Sequence, residues 1–454
     1  MTALLYTLGV VLFVVSILAS IGLHELGHMI PAKMFGGKVT QYFIGFGPTV
    51  WSKQVGETEY GVKAVPLGGY VKIVGMLPPG TPHLGAPDDA EYDERGERVL
   101  KVRKSNTGMF TQLISDARAA EWEHVRPGDE DRLFYKRDWW KKVLVMAGGP
   151  TVNLVIAFGI FGSIYATYGN LEDRRIEPVV SEVLDCVVPD LESDRACTPE
   201  DQMTPAKAAG LEAGDRFPSV NGVPVTGWEQ LQEQIRDNAD GDVVLGIERN
   251  DEPLNLTTST VVTARPVSDD PTDETLTDVG FLGVAPVDAG PRTGGALYTI
   301  EQMGGMTVRT VEALGTLPVK VWGVGKAIVG MEERAVDSPV SIVGGGRIAG
   351  ETASTTKIEQ TEKTVFLLML IGGFNFFIGM FNFIPLLPLD GGHIAGALSE
   401  ALRRGLARLR RRPDPGYVDV ARLLPIAYVV ASLLLVMGVV LIVGDLVVPL
   451  DTGL

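Results

Sequence analysis

His24, Glu25 and His28 stand in the order His-Glu-x-x-His within Ile21-Gly22-Leu23-His24-Glu25-Leu26-Gly27-His28. A helix turns about 100° per residue, so side chains four apart project within about 40° of each other on one face. Two imidazoles so placed can hold one divalent ion. The carboxylate between them can take a proton from a water molecule polarised by that ion. This is the equipment of metal-assisted hydrolysis. The chain has 5 histidines, and the motif uses two of them. His83 and His124 have no partner at ligand spacing. Residues Thr2–Gly22 carry no charge, so the motif closes an apolar run, where ionisable groups are costly and mark function by default.

Four stretches lack charge for the roughly 20 residues that a membrane-spanning helix requires: Thr2–Gly22, Val143–Gly169, Val365–Leu389 and Leu423–Gly444. The first lacks a basic leader and a clear cleavage site, so it reads as a retained span rather than a signal peptide. The third ends in Leu386-Leu387-Pro388-Leu389-Asp390-Gly391-Gly392-His393. An Asp among prolines and glycines there marks a broken helix, tolerated at that depth only where it is buried or lines a watery cavity. The first and third spans run in the same direction, which brings Asp390 level with the histidine pair. Two His and one carboxylate, with a fourth position left to water, make a catalytic zinc site. His393 is a rival third ligand, but it lies about one helical turn further on.

The charge of −16 is unevenly placed. Residues 170–360 hold 33 acidic against 15 basic residues, whereas Ile394–Arg422 holds 7 Arg against 3 acids. Lys136, Arg137, Lys141 and Lys142 precede the second span. By the positive-inside rule both basic flanks are cytoplasmic, which puts the termini and the acidic middle outside. No part of this pattern suits a nucleic-acid partner. Cys186 and Cys197 fall in the outer region, where a disulfide is expected.

Val39–Ile44, Glu57–Val65 and Tyr70–Val74 are rich in β-formers and separated by Gly and Pro, which predicts a small hairpin or meander. Such an element can offer an edge strand to an extended substrate. Thr310–Val329 is expected to be a helix on the outer membrane surface, interrupted at Pro318. In the outer region, Ala209-Gly210-Leu211-Glu212-Ala213-Gly214-Asp215 followed by Val220-Asn221-Gly222 resembles a bacterial PDZ domain. Its ligand groove is expected around Gly210, Leu211, Gly214 and Asp215.

Taken together, His24-Glu25-x-x-His28, the PDZ-like insert and Asn382-x-x-Pro385-x-x-x-Leu389-Asp390-Gly391 resemble the site-2 protease family, in its bacterial RseP-type branch. Gly45-Phe46-Gly47-Pro48 and Pro66-Leu67-Gly68-Gly69-Tyr70-Val71-Lys72 are similar to that family's membrane-re-entrant β-region. Some members of the branch carry two tandem PDZ domains, and this chain shows one. The likeness implies a multi-pass α-helical membrane protein with four transmembrane helices, a re-entrant β-region and one extracytoplasmic PDZ-like α+β domain. The expected plan is a span with the histidine motif (1–30), a β-region (31–76), a cytoplasmic loop (77–142), a second span (143–169) and the PDZ-like domain (175–266). An outer surface segment (267–362), a third span (363–393), a basic cytoplasmic loop (394–422) and a fourth span (423–448) complete it.

By the same resemblance, His24, His28 and Asp390 bind one Zn²⁺, Glu25 activates water, and Asn382 positions substrate or stabilises the oxyanion. The implied substrates are single-pass proteins of the bacterial cytoplasmic membrane, such as anti-sigma factors already trimmed by an upstream site-1-type protease, and remnant signal peptides. The active site is expected near the cytoplasmic face. The alternative is a catalytically silent membrane scaffold acting through its PDZ-like domain.

Overall fold

The computed structural model describes residues 2–78, 91–92, 98–99, 109–123, 125–188, 196–239, 241–266, 276–450 and 453. The chain forms two compact units, one made of residues 1–164 and 295–454 and the other of residues 165–294. In the first unit the N-terminal apolar run becomes α1 (Thr2–Met34), which continues through Pro31. Proline cannot donate to the carbonyl four residues back, and Gly27 O is the group so released. At that point α1 meets a second apolar helix. A Cβ on Gly148 would lie 1.9 Å from Gly27 O, so the two backbones touch only because both positions are glycine.

Between these helices lie strands β1 (Val39–Val55) and β2 (Thr58–Ile73). Both bend. Gly45 and Gly47 take φ of 93° and 81°, and Gly68 takes 117°. Residues 49–55 pair with 58–63, whereas Gln41–Ile44 pair both with 59–62 and with 69–72. Residues 69–73 are thus an edge, paired on one side alone among the described residues. The Tyr42 hydroxyl donates to Gly22 O at 2.8 Å and ties this sheet to α1. A two-residue ladder, β3 (Glu91–Tyr92) with β4 (Arg98–Val99), and α2 (Met109–Trp122) precede the second apolar helix, α3 (Trp139–Thr167).

The second unit holds β5 (Asn170–Val183), α4 (Pro205–Ala208), β6 (Arg216–Val220), β7 (Val223–Pro224), α5 (Trp228–Asp237), β8 (Asp242–Arg249), β9 (Glu252–Ser259), β10 (Val261–Pro266), β11 (Leu276–Phe281) and β12 (Val284–Arg292). One sheet runs β12-β5-β6-β8-β9, and β10 pairs with β11. Asn221 and Gly222 both have positive φ, as the tight turn between β6 and β7 requires. Val180, Phe217, Val220, Leu231, Leu245 and Ile247 are buried together in its core. The unit is longer than the stretch 175–266 read from sequence, because β11 and β12 complete it. Cys186 and Cys197 are joined by a disulfide in this unit.

The chain then returns to the first unit with α6 (Ala296–Ile328), α7 (Ile342–Ser354), α8 (Gln360–Asn382), α9 (Asp390–Leu409) and α10 (Leu424–Val447). Against expectation, α6 passes through Pro318 unbroken, and the stretch read as a basic loop is largely α9. Among the described residues, Thr2–Met34, Trp139–Thr167, Gln360–Asn382 and Val420–Val447 are long and apolar enough to cross a membrane. Asp445, buried on α10, pairs with Arg334 at 2.8 Å and accepts from the Ser341 amide at 2.6 Å, which anchors the start of α7. That helix lies on α1 at Gly9, where a Cβ would meet Ala349 O at 2.4 Å.

In the second unit the Asp215 side chain is fully buried and takes two 2.7 Å hydrogen bonds from Arg249 and one of 2.8 Å from the Glu212 amide. Burial works to raise this carboxyl, but the guanidinium and the amide outweigh it and hold the group below the ordinary carboxylate range. A lowered folded-state value stabilises the fold above the unfolded value of about 3.9, and that contribution fades as pH falls below it. Arg249→Met therefore costs the second unit about 3–5 kcal/mol at neutral pH by stranding a buried carboxylate. Hydrogen exchange in β8 and β9 will show this deficit shrinking as pH drops through about 4. A deficit independent of pH would remove the carboxylate from the explanation.

Candidate metal centre

Asp390 opens α9 after the turn Phe383–Leu389, which breaks the apolar run just beyond α8. A carboxylate in the first turn of a helix is favoured by the backbone dipole. Gly391 lets the turn fold back: a Cβ there would lie 2.1 Å from Ile384 O. The carboxylate so placed meets the two histidines of α1. His24 Nε2 and His28 Nε2 are 3.2 Å apart, and Asp390 Oδ2 lies 3.4 and 3.3 Å from them. Ligands about 2.0–2.1 Å from a tetrahedral zinc are separated by about 3.3 Å. Among the described residues, this trio is the one His/Cys/Asp/Glu group whose donor atoms lie within 4.8 Å of one another.

The outer ring nitrogens fix which atoms face inward. His28 Nδ1 lies 2.8 Å from Val145 O, and a carbonyl can only accept, so this nitrogen carries the proton. His24 Nδ1 lies 2.6 Å from Asn153 Oδ1. Asn153 Nδ2 donates to Asn375 Oδ1 at 3.1 Å, and Asn375 Nδ2 donates to Ile371 O at 2.9 Å. That last carbonyl orients both amides and makes Asn153 Oδ1 an acceptor, so His24 Nδ1 is also the protonated nitrogen. Two Nε2 lone pairs and a carboxylate oxygen then converge without a proton between the nitrogens. A cation resolves this arrangement. Space is reserved for one as well, since a Cβ on Gly149 would fall 2.3 Å from His28 Nε2 and 2.8 Å from His24 Nε2.

Glu25 lies beside this cluster, in a cavity of about 400 Å³ that Gly69, Tyr70, Val71, Asn382 and His393 also line. The edge strand presses against it: a Cβ on Gly69 would lie 3.0 Å from Glu25 Cγ. One amide hydrogen of Asn382 goes to Ile378 O at 3.0 Å, leaving the other for a ligand in the cavity. His393 shares the cavity but stands outside the donor trio. His83 and His124 lie outside the described residues. The arrangement can bind a metal, place a base next to it and lay an extended chain along the edge of residues 69–73.

Gly210, Leu211, Gly214 and Asp215 form the turn between α4 and β6. Leu211 belongs to the core of the second unit, and Asp215 is held by Arg249. Among the described residues that unit also has a cleft of about 150 Å³ between α5 and the Phe281–Val284 turn, lined by Trp228, Leu231, Ile235, Phe281 and Leu282. From the sequence, Gly148, Gly149 and Asn153 read as helix packing, small residues for close approach and an amide able to bond across helices, whereas Asn375 and Val145 were given no role. A buried amide within an apolar run was the available signal for the two asparagines.

The model of peptidase family M50 matches residues 12–414. The chain is 32% identical over 458 residues to zinc metalloprotease Rip1 of Mycobacterium tuberculosis, covering 98% of this chain and 99% of that protein. It is 30% identical to Rip1 of Mycolicibacterium smegmatis, with 99% of each covered. It is 24% identical to zinc metalloprotease RasP of Bacillus licheniformis, over 90% of this chain and 94% of that one.

The donor set fits zinc, and two variants test the fit. Asn153→Leu removes the acceptor that orients His24 and weakens zinc binding about 10–100-fold, whereas Asn153→Asp retains it. Gly149→Ala places a methyl group where the ion must sit and abolishes zinc uptake. Chelator competition on the purified protein reads both. Unchanged affinity in both Asn153→Leu and Gly149→Ala would separate these residues from the metal.

Proposed function

The chain belongs to peptidase family M50 and is a zinc metalloprotease of the site-2 type, and from that premise we propose that it hydrolyses peptide bonds inside the membrane-spanning segments of single-pass proteins. The observation that carries this reading is a His-His-Asp donor trio formed where the apolar helix α1 meets the start of α9, set beside a strand edge paired on one side alone among the described residues. A scaffold has no use for such a trio. Zinc bound by His24, His28 and Asp390 supplies Lewis-acid activation of a water molecule and of the scissile carbonyl.

A spanning helix has its backbone groups paired internally, so it must unwind before it can be cut. Residues 69–73 capture the unwound segment by strand addition, with Gly69 keeping the backbone close to Glu25. The Glu25 carboxylate takes the proton of the attacking water and returns it to the leaving nitrogen. The remaining amide hydrogen of Asn382 donates to the developing oxyanion. The basic residues at the start of α3 and on α9 face the cytoplasm, and the second unit with its disulfide lies outside.

In this reading the second unit is a PDZ-like domain. Its cleft between α5 and the Phe281–Val284 turn reads new chain ends, or its bulk excludes untrimmed proteins. The substrates are anti-sigma-factor-type proteins already cut outside by a site-1-type protease, together with remnant signal peptides. Glu25→Gln, assayed on a single-pass substrate in vesicles, will lower cleavage by about 10²–10⁴-fold with zinc content unchanged. Undiminished cleavage would take the proton-transfer role from Glu25.

A further inference from the structure

α9 has two opposed faces, and only one of them is packed within the protein. At about 100° per residue, Gly396, Ala397 and Glu400 fall on one side of the helix, and all three are buried. Glu400 is fixed there by Lys142 at 2.8 Å and Arg404 at 3.1 Å. The opposite side carries Leu398, Leu402, Leu406 and Leu409, which fall within an arc of about 80°. These four leucines are between 41% and 81% exposed. Exposed arginines flank the stripe, Arg403 and Arg410 on one side and Arg408 on the other.

The surroundings of α9 say what covers that stripe. Its N-terminus follows α8 after residues 383–389, its C-terminus is joined to α10 by residues 410–423, and both neighbours are long and apolar enough to cross a membrane. A Cβ on Gly396 would lie 3.0 Å from Val420 Cγ1, so the start of the fourth apolar helix packs on α9. Lys142 pins its middle to the first turn of α3, where a third such helix begins. A helix tied at three points to the ends of spanning helices lies at the bilayer surface. Leucines on one face with arginines at both margins match the layering of that surface, acyl chains beneath and anionic headgroups beside them.

We infer that α9 is an interfacial helix whose leucine face is seated in an anionic lipid leaflet, with Arg403, Arg408 and Arg410 on the headgroups. The helix whose first residue is the ligand Asp390 is then held from two sides, by the Lys142–Glu400 pair within the protein and by lipid outside it. This rests on the membrane-spanning reading of α8 and α10 and is independent of proteolysis.

The test uses the full-length protein in vesicles and reads lipid contact rather than cleavage. The native cysteines are tied to each other, so a thiol-reactive fluorophore reports on an introduced cysteine. Leu402→Cys and Leu409→Cys are compared with Arg411→Cys, two leucine positions guarding against one variant that fails to fold. In vesicles containing phosphatidylglycerol, the probes at 402 and 409 will shift to the blue, resist iodide and be quenched by nitroxide lipids, whereas the probe at 411 will be quenched by iodide. Quenching by nitroxide lipids will be weaker in purely zwitterionic vesicles. That difference will vanish when Arg403, Arg408 and Arg410 are changed to Gln. Three results would overturn the inference: iodide access at 402 and 409 equal to that at 411, shielding from iodide without lipid quenching, or quenching indifferent to anionic lipid. The second would mean that a protein surface covers the stripe.

Discussion

Two imidazole lone pairs and one carboxylate oxygen, mutually 3.2–3.4 Å apart within an apolar helix bundle, are the constraint to which the first unit answers. Such a convergence is unfavourable without a cation and favourable with one. The neighbouring helices hold the convergence in place. Gly27 against Gly148 brings α1 and α3 into backbone contact, and Gly149 leaves room for the ion. Val145 and the Asn375–Asn153 pair point both Nε2 atoms inward. Asp390 arrives only because the chain breaks after Asn382 and restarts as α9.

The grouping of His24, His28 and Asp390 was readable from the sequence where periodicity carries it. His24 and His28 share a face at any helical geometry, and the uncharged runs are long enough to announce the four helices apolar enough to cross a membrane. Asp390 could be paired with them because Pro and Gly beside an acidic group in an apolar run have few explanations. The orienting shell was hidden, since an Asn in a span reads as packing until its partner on another helix is known. Oxygen-to-nitrogen orientation in Asn153 depends on a carbonyl at Ile371, more than a hundred residues away, and no local pattern records it.

Some of the fold was misread for equally physical reasons. Pro318 suggested a break, yet a proline forfeits one hydrogen bond and α6 is long enough to continue through it. The arginine-rich stretch read as a loop because its charge drew attention from the leucines spaced along α9. The second unit was cut short because β11 and β12 lie beyond a polar segment, although they supply the wall of its cleft. The buried pairs Lys142–Glu400 and Arg334–Asp445 were invisible for the same reason as the asparagines. Their partners are distant in sequence; loss of Arg334 would leave the buried Asp445 without its counter-charge at a cost of about 3–5 kcal/mol, whereas Glu400 would keep Arg404 if Lys142 were lost.

In the proposed function, α1 and the start of α9 together hold one zinc ion. X-ray absorption at the zinc edge measures this directly on the purified protein and on Asp390→Ala. One zinc per chain is expected, with a four-coordinate shell of two imidazoles and oxygen at about 2.0–2.1 Å, and with loss of that shell or of the metal in the variant. An unchanged spectrum in Asp390→Ala, or a six-coordinate shell lacking imidazole in the unaltered protein, would contradict it.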